Sequence, residues 1–73
     1  MFTEVRALIS ETLRIPADDL ALDTSLADLD SLARAELAVA LESSYRGVID
    51  GDRAARAATV RDLVTLLERG LRR

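Results

Sequence analysis

The sequence predicts an all-α fold, a small four-helix bundle of three main helices and one short helix. Apolar residues recur at the i, i+3, i+4 spacing of an amphipathic helix in three separate segments. A residue type that favours helix starts precedes each of these segments. No stretch alternates apolar and polar residues as a half-buried strand does, so the sequence offers no sheet.

Helix one is expected to run from about Thr3 to Arg14, with Thr3 as its N-cap and an acid, Glu4, in its first turn. Pro16 disfavours helical geometry at Ile15 and ends the helix. The apolar stripe of this helix consists of Val5, Leu8, Ile9, Thr12 and Leu13.

Residues 16–30 form a long connection that carries four leucines, at positions 20, 22, 26 and 29. A fully solvated loop would not need so many apolar side chains, so we expect some of them to pin the segment across the bundle. A connection of this length in a small domain is uncommon and often functional.

Helix two is expected to begin after Asp30 as N-cap and to run to about Tyr45, with Gly47 helping to turn the chain. Its predicted core stripe consists of Ala35, Ala38, Leu41 and Tyr45, with Leu37 on the flank. A different face carries Leu32, Glu36, Val39 and Ser43.

Leu32 and Val39 are therefore surplus to the predicted core, and the acids Glu36 and Glu42 lie beside them. An exposed apolar pair flanked by carboxylates suits a protein partner with a hydrophobic dent and a basic rim. Single exposed apolar residues are also common without any function. Both interpretations stay open on this pattern alone.

The segment Asp50-Gly51-Asp52 is typical of a turn, and we expect one short helical turn over residues 53–57 after it. Helix four begins after Thr59, which pairs with Asp62 in an aspartate variant of the capping box. Gly70 suits the position just past the helix end. The predicted buried stripe consists of Val60, Leu63, Val64, Leu67 and Leu71.

The 73 residues are predicted to form a single domain, residues 1–73, held together by packed Leu, Ile, Val and Ala. The chain has no Cys, no His and no Lys. Disulfides, Cys/His metal sites, Ser-His and Cys-His pairs and Schiff-base amines are thereby excluded. We expect no catalytic residue, no resident metal and no enzyme activity.

Charge is unevenly distributed along the chain, whose formal net charge is −3. Residues 1–52 hold eleven acids against four Arg, whereas residues 53–73 hold two acids against six Arg. The acidic part argues against nucleic acid, and Arg69, Arg72 and Arg73 suit the negative end of a helix dipole. With no signal-peptide pattern and no membrane span, we expect a cytoplasmic monomer that binds neither nucleic acid nor membrane.

Ser31 is predicted to be the first residue of helix two, directly after its cap. A hydroxyl there is accessible to a modifying enzyme. A phosphodiester built on it would lie near unpaired backbone N–H groups and the positive end of the helix dipole. An Asp-Ser pair is equally ordinary helix-start chemistry, so the pair alone does not assign a function.

The triplet Asp30-Ser31-Leu32, followed by Ala35-Glu36-Leu37 and Ala40-Leu41-Glu42, resembles the attachment helix of acyl carrier proteins. The resemblance covers nearly the whole chain. The apolar positions of helix one fall in the register of the family. So do Ser25-Leu26, Tyr45, Ile49 and Thr59-Val60.

The resemblance implies a bundle of the acyl-carrier-protein type that carries 4′-phosphopantetheine on Ser31, with Asp30 and Leu32 beside it. A phosphopantetheinyl transferase would install the arm from coenzyme A, using magnesium that belongs to that reaction. Acyl groups would then travel as thioesters between an acyltransferase, a ketosynthase or other pathway enzymes. The residues expected to contact partners are Leu32, Arg34, Glu36, Val39 and Glu42.

Two departures from the family pattern point to specialisation. The family usually has Leu-Gly-x before the triplet, whereas here residues 27–29 lead directly into Asp30 without a glycine. Helix two is also less acidic, because Ala33 and Ser43 stand where acids are frequent and Arg34 adds a positive charge. We therefore expect a dedicated carrier for a polyketide or related secondary-metabolite pathway rather than for housekeeping fatty acid synthesis.

Three alternatives remain open at this point. A peptidyl or aminoacyl carrier would use the same arm, but such carriers usually have Gly-Gly before the attachment pair and often His in place of Asp30. A non-carrier helical adaptor would use Ser31 only as a helix-start residue. A small hydrolase acting through Ser31 would lack a general base.

Overall fold

The computed structural model describes residues 1–72 and contains four α-helices in this part of the chain: α1 Phe2–Leu13, α2 Ser31–Ser44, α3 Gly51–Ala55 and α4 Val60–Leu71. A 3₁₀ turn at Ala17–Asp19 interrupts the connection between α1 and α2. The predicted all-α bundle of three main helices and one short helix is confirmed. Arg73, expected near the end of the last helix, lies outside the described residues.

α1 begins one residue earlier than the sequence predicts. Its N-cap position is Met1, so the assignment of Thr3 as cap is wrong. The amino group of Met1 lies 3.1 Å from Glu4 Oε1, and this hydrogen bond lowers the pKa of the Glu4 carboxyl. The first turn has no side-chain cap, and the negative charge of Glu4 lies favourably near the positive end of the helix dipole. The helix ends where Arg14 adopts the left-handed conformation, φ 57°, before Pro16.

The leucines of the α1–α2 connection do pin it to the bundle. Leu20 and Leu26 are buried, and Leu22 and Leu29 are partly buried against the same core. This confirms that the connection crosses the bundle instead of looping into water.

Backbone hydrogen bonds also tie the connection to the start of α4. The Leu26 N–H donates to the Ala58 carbonyl at 2.8 Å, and the Val60 N–H donates to the Thr24 carbonyl at 3.1 Å. A single antiparallel bridge between Ser25 and Thr59 results. The segment just before α2 is therefore fixed by hydrogen bonds to residues 58–60, which are distant in sequence.

α3 occupies Gly51–Ala55, two residues ahead of the predicted 53–57. The expectation that Asp50-Gly51-Asp52 forms a separate turn is corrected, because Asp50 is the N-cap and its carboxylate accepts the Asp52 N–H at 2.9 Å. A capped helix starts directly after its cap. Gly47 turns the chain after α2 with a φ of 75°, which favours glycine.

The capping box of α4 is present as predicted. Thr59 Oγ1 accepts the Asp62 N–H at 3.3 Å, and Asp62 Oδ2 accepts the Thr59 N–H at 3.2 Å. Two predictions at the other end are wrong. Leu71 is 57% exposed rather than buried, and Gly70 lies inside the helix rather than past it. Gly70 packs so closely on Val48 that an added Cβ would collide with the Val48 carbonyl oxygen.

The core is aliphatic. α1 packs against α2 and α4, and α3 packs against α2 and α4. Phe2 and Tyr45 are only partly buried at its edge. Within residues 1–72, no helix has both the length and the apolar character needed to cross a membrane. The largest fully buried side chains are Ile9, Leu41, Leu63, Leu67, Val5 and Val60.

Candidate functional site

The start of α2 is fixed by Asp30. This residue has extended backbone geometry, φ −74° and ψ 174°, and its Oδ1 accepts the Ala33 N–H at 2.8 Å. Its carbonyl accepts the Arg34 N–H at 3.0 Å. Asp30 is therefore the N-cap, as predicted, and Ser31 is the first helical residue.

The Ser31 side chain is exposed, and within residues 1–72 its hydroxyl takes part in no hydrogen bond. The backbone N–H groups of Ser31 and Leu32 are among the first-turn donors that a helix leaves unpaired. These donors and the positive end of the α2 dipole surround the hydroxyl with partial positive charge. The arrangement favours an anionic group attached at this oxygen.

A shallow groove lies between the end of α1 and the first turns of α2. Leu13, Ile15, Leu29 and Leu32 give it apolar walls. It continues along α2 past Glu36 towards Val39 and Ala40. The two neighbours of Ser31 in the chain, Asp30 and Leu32, therefore line one end of this groove.

The exposed face of α2 carries the two apolar residues that the sequence marks as surplus to the core. Leu32 is 68% exposed and Val39 is 63% exposed. The buried residues of α2 are Leu37, Ala38 and Leu41. The prediction that Ala35 belongs to the core is wrong, since its side chain is exposed. Burying the larger Leu37 removes more apolar area from water than burying Ala35 would.

The acids of this surface occupy different surroundings. Glu36 is exposed beside the groove. Glu42 is exposed too, but its carboxylate leans over Gly51 at the start of α3, where an added Cβ would collide with Oε1. The pattern of helix two predicts the exposure of both acids and gives no sign of the approach to Gly51.

Arg34 is turned into the fold. Its guanidinium donates to the carbonyls of Ala55 at 2.7 Å, Leu26 at 2.8 Å and Ala57 at 3.3 Å. The sequence pattern suggests a partner contact for Arg34 and gives no hint of these bonds within the chain. One signal was available, because a cation in the first turns of a helix is unfavourable with the dipole and so needs another interaction.

Comparison with known proteins shows the family of the chain. The family described as "Phosphopantetheine attachment site" matches residues 3–67. The chain is also similar to an acyl carrier protein of Petrotoga mobilis, with 32% identity over 74 residues, 97% of this chain and 87% of the relative. The chain belongs to the acyl carrier protein family. No solved structure matches it significantly.

As a member of this family, the carrier bears covalently attached 4′-phosphopantetheine and is a carrier protein rather than an enzyme. The alternatives of a serine hydrolase and of an adaptor without an arm are thereby set aside. A phosphopantetheinyl transferase and the enzymes of an acyl-transfer pathway are the partners that the family implies.

Proposed function

We propose that the carrier holds its phosphopantetheine arm on Ser31. The observation that supports this most is the exposed hydroxyl at the start of α2, which the fold leaves unused because Asp30 is the cap. The residues present fit the group: two unpaired N–H groups and the helix dipole favour a phosphodiester at this oxygen.

The other serines fit less well. Ser43 and Ser44 end α2, where exposed carbonyls and the negative end of the dipole disfavour an anion. Ser10 lies within α1, and the hydroxyl of Ser25 accepts the Ala27 N–H at 3.1 Å. Ser31 is therefore the best-suited attachment point among the serines of the chain.

In the attachment reaction, the carrier supplies the attacking hydroxyl and the transferase supplies the base and the magnesium ion. The Ser31 oxygen would attack the pantetheine-bearing phosphorus of the coenzyme A pyrophosphate and give up its proton. The P–O bond to the other phosphate breaks as the new bond forms, and adenosine 3′,5′-bisphosphate leaves. The chain contains no His, Cys or Lys, so we assign the base that takes this proton to the transferase. Asp30 shapes the helix start and offers a carboxylate to the magnesium ion of that enzyme. Once attached, the arm supplies a thiol that carries acyl groups as thioesters.

The attachment is tested by incubating the purified chain with coenzyme A and a broad-specificity phosphopantetheinyl transferase. Intact mass spectrometry should show a gain of one phosphopantetheine group. Ser31→Ala should abolish the gain, and the matched control Ser43→Ala, an exposed serine of the same helix, should keep it. A gain that survives Ser31→Ala would contradict attachment at Ser31.

The exposed strip Leu32, Glu36, Val39 and Glu42 is the proposed docking surface for partner enzymes. Its two apolar side chains are largely exposed, and its two acids offer negative charge to a basic rim. Arg34 is left out of this surface, because its guanidinium is bound to three carbonyls of the same chain.

The pathway served is proposed to be a dedicated polyketide or related secondary-metabolite pathway. Support comes from the shortened connection before Asp30 and from Ala33 and Ser43, which stand where acids are frequent in fatty-acid carriers. The holo form should be a poor substrate for a housekeeping fatty-acid synthase, measured as the rate of loading and extension. Extension at the rate of that enzyme's own carrier would overturn the specialisation. Loading by an amino-acid-adenylating enzyme alone would indicate a peptidyl carrier.

We place this function in the cytoplasm and expect the carrier to act as a monomer. Coenzyme A and the transferase are required at the same location, and an exposed docking strip must stay free to reach one enzyme after another. Size-exclusion chromatography with light scattering measures the oligomeric state, and a stable dimer would contradict the expectation.

A further inference from the structure

We infer that Arg34 is a positioning residue that fixes the first turn of α2, and with it Ser31, against the end of α3. This role depends on the proposed attachment at Ser31. The Arg34 side chain starts one helical turn after Ser31 and reaches two other segments of the chain. Its Nη1 donates to the carbonyls of Ala55 and Ala57, and its Nη2 donates to the Leu26 carbonyl.

Within residues 1–72, no backbone N–H donates to the Ala55 or Ala57 carbonyl. Ala55 is the last residue of α3, where carbonyls have no intrahelical donor, and Ala57 lies one residue past the C-cap Arg56. One planar guanidinium serves both carbonyls and Leu26 at once because its donors form a fixed fork. Arg34 thus acts as a side-chain cap for α3 supplied by α2.

We call the three hydrogen bonds of the Arg34 guanidinium the Arg34 clamp. Leu26 connects this clamp to Ser31. Its carbonyl also accepts the Leu29 N–H at 3.2 Å, and its own N–H donates to the Ala58 carbonyl at 2.8 Å. Only residues 27–29 separate it from Asp30. The Arg34 backbone N–H bonds the Asp30 carbonyl in turn. The segment 26–34 is therefore held at both ends, with Ser31 inside it.

Few other interactions hold this turn. The first turn of α2 contains no acidic side chain, and its side-chain cap is Asp30 alone. Helix ends with few buried contacts open locally at low free-energy cost. Without the guanidinium, the connection and the first turn would move more, and the Ser31 oxygen would spend less time where a transferase can use it.

Two variants of Arg34 distinguish the effect of its hydrogen-bond geometry from the effect of its positive charge. Arg34→Met keeps a long stem and removes every donor, whereas Arg34→Lys keeps the charge but presents one ammonium that cannot span three carbonyls. Ile9→Val is the matched control, because it weakens the buried core within α1 without touching the clamp. All are compared at a temperature where circular dichroism shows each to be folded.

The measurements are kcat/KM for phosphopantetheine transfer and the hydrogen-exchange rate of the Leu29 amide in the apo-protein. Both Arg34 variants should lower kcat/KM about tenfold and speed exchange by about the same factor. Ile9→Val should leave transfer unchanged.

Wild-type kcat/KM in Arg34→Met would overturn the positioning role. Full activity in Arg34→Lys with loss in Arg34→Met would overturn it too, since a partner would then be reading the charge. If the wild-type chain accepts no arm, the proposed function fails, and the exchange rates still decide whether Arg34 holds the turn.

Discussion

Asp30 and Ser31 are neighbours at the residue scale, and the structure gives them separate tasks. Asp30 accepts the Ala33 N–H and so holds the helix start, while the exposed Ser31 hydroxyl makes no hydrogen bond within residues 1–72. A serine used as its own cap would have had its oxygen tied to the backbone. The separation leaves the hydroxyl free for chemistry without a structural penalty.

Substitutions at these two neighbours should therefore differ in their effect on stability. Ser31→Ala should change the melting temperature by no more than about 2 °C, because only an exposed hydroxyl is lost. Asp30→Ala should lower the free energy of unfolding by about 1 kcal/mol through loss of the cap. Thermal denaturation followed by circular dichroism measures both. A larger loss for Ser31→Ala than for Asp30→Ala would contradict the division of tasks.

Local chemistry explains which site residues could be predicted. The Asp30 cap and the Thr59–Asp62 capping box are interactions between residues three apart, so the sequence displays them directly. Arg34, by contrast, bonds Ala55 and Ala57, which lie 21 and 23 positions further along the chain. No local sequence pattern encodes a contact over such a separation.

At the scale of the element, α2 shows how periodicity succeeds and fails. It predicts that Leu32 and Val39 lie outside the core, and the structure agrees. It places Ala35 inside, because an alanine-rich helix offers two overlapping stripes and the spacing alone does not choose between them. At α4, the stripe extends to Leu71 because spacing carries no information on where neighbouring segments stop covering the helix.

Two leucines with opposite burial test this account of the elements. Leu41 on α2 is fully buried, so Leu41→Ala should cost about 2–5 kcal/mol in the free energy of unfolding. Leu71 on α4 is 57% exposed, so Leu71→Ala should cost at most about 0.5 kcal/mol. Urea denaturation compares the two. Equal losses would show that the core is not where the structure has it.

At the scale of the whole molecule, the fold class followed from composition and period, whereas the contact between distant segments did not. A 73-residue chain with no cysteine and three amphipathic segments has few compact solutions other than a helical bundle. The bridge between Ser25 and Thr59 depends on how the long connection crosses that bundle. The leucines of this connection predict that it crosses the bundle, but they do not specify which residues pair in the bridge.

Docking belongs to this scale, because it involves one surface of the assembled bundle. Leu32→Ala and Val39→Ala should each raise the KM of the carrier with a partner enzyme about fivefold, the equivalent of about 1 kcal/mol at an interface. Their melting temperatures should stay near that of the wild type, since both side chains are exposed. Leu71→Ala, at an exposed leucine of α4, should leave KM unchanged. Equal effects at all three positions would contradict a docking strip on α2.

The central claim is that one exposed hydroxyl at the tip of α2 bears the arm. Peptide-level mass spectrometry on the chain purified from its native host locates the modified residue directly. We predict that the mass of phosphopantetheine appears on the peptide containing Asp30-Ser31-Leu32, with fragment ions assigning it to Ser31. An arm found on a different serine, or native protein that never bears one, would contradict the account.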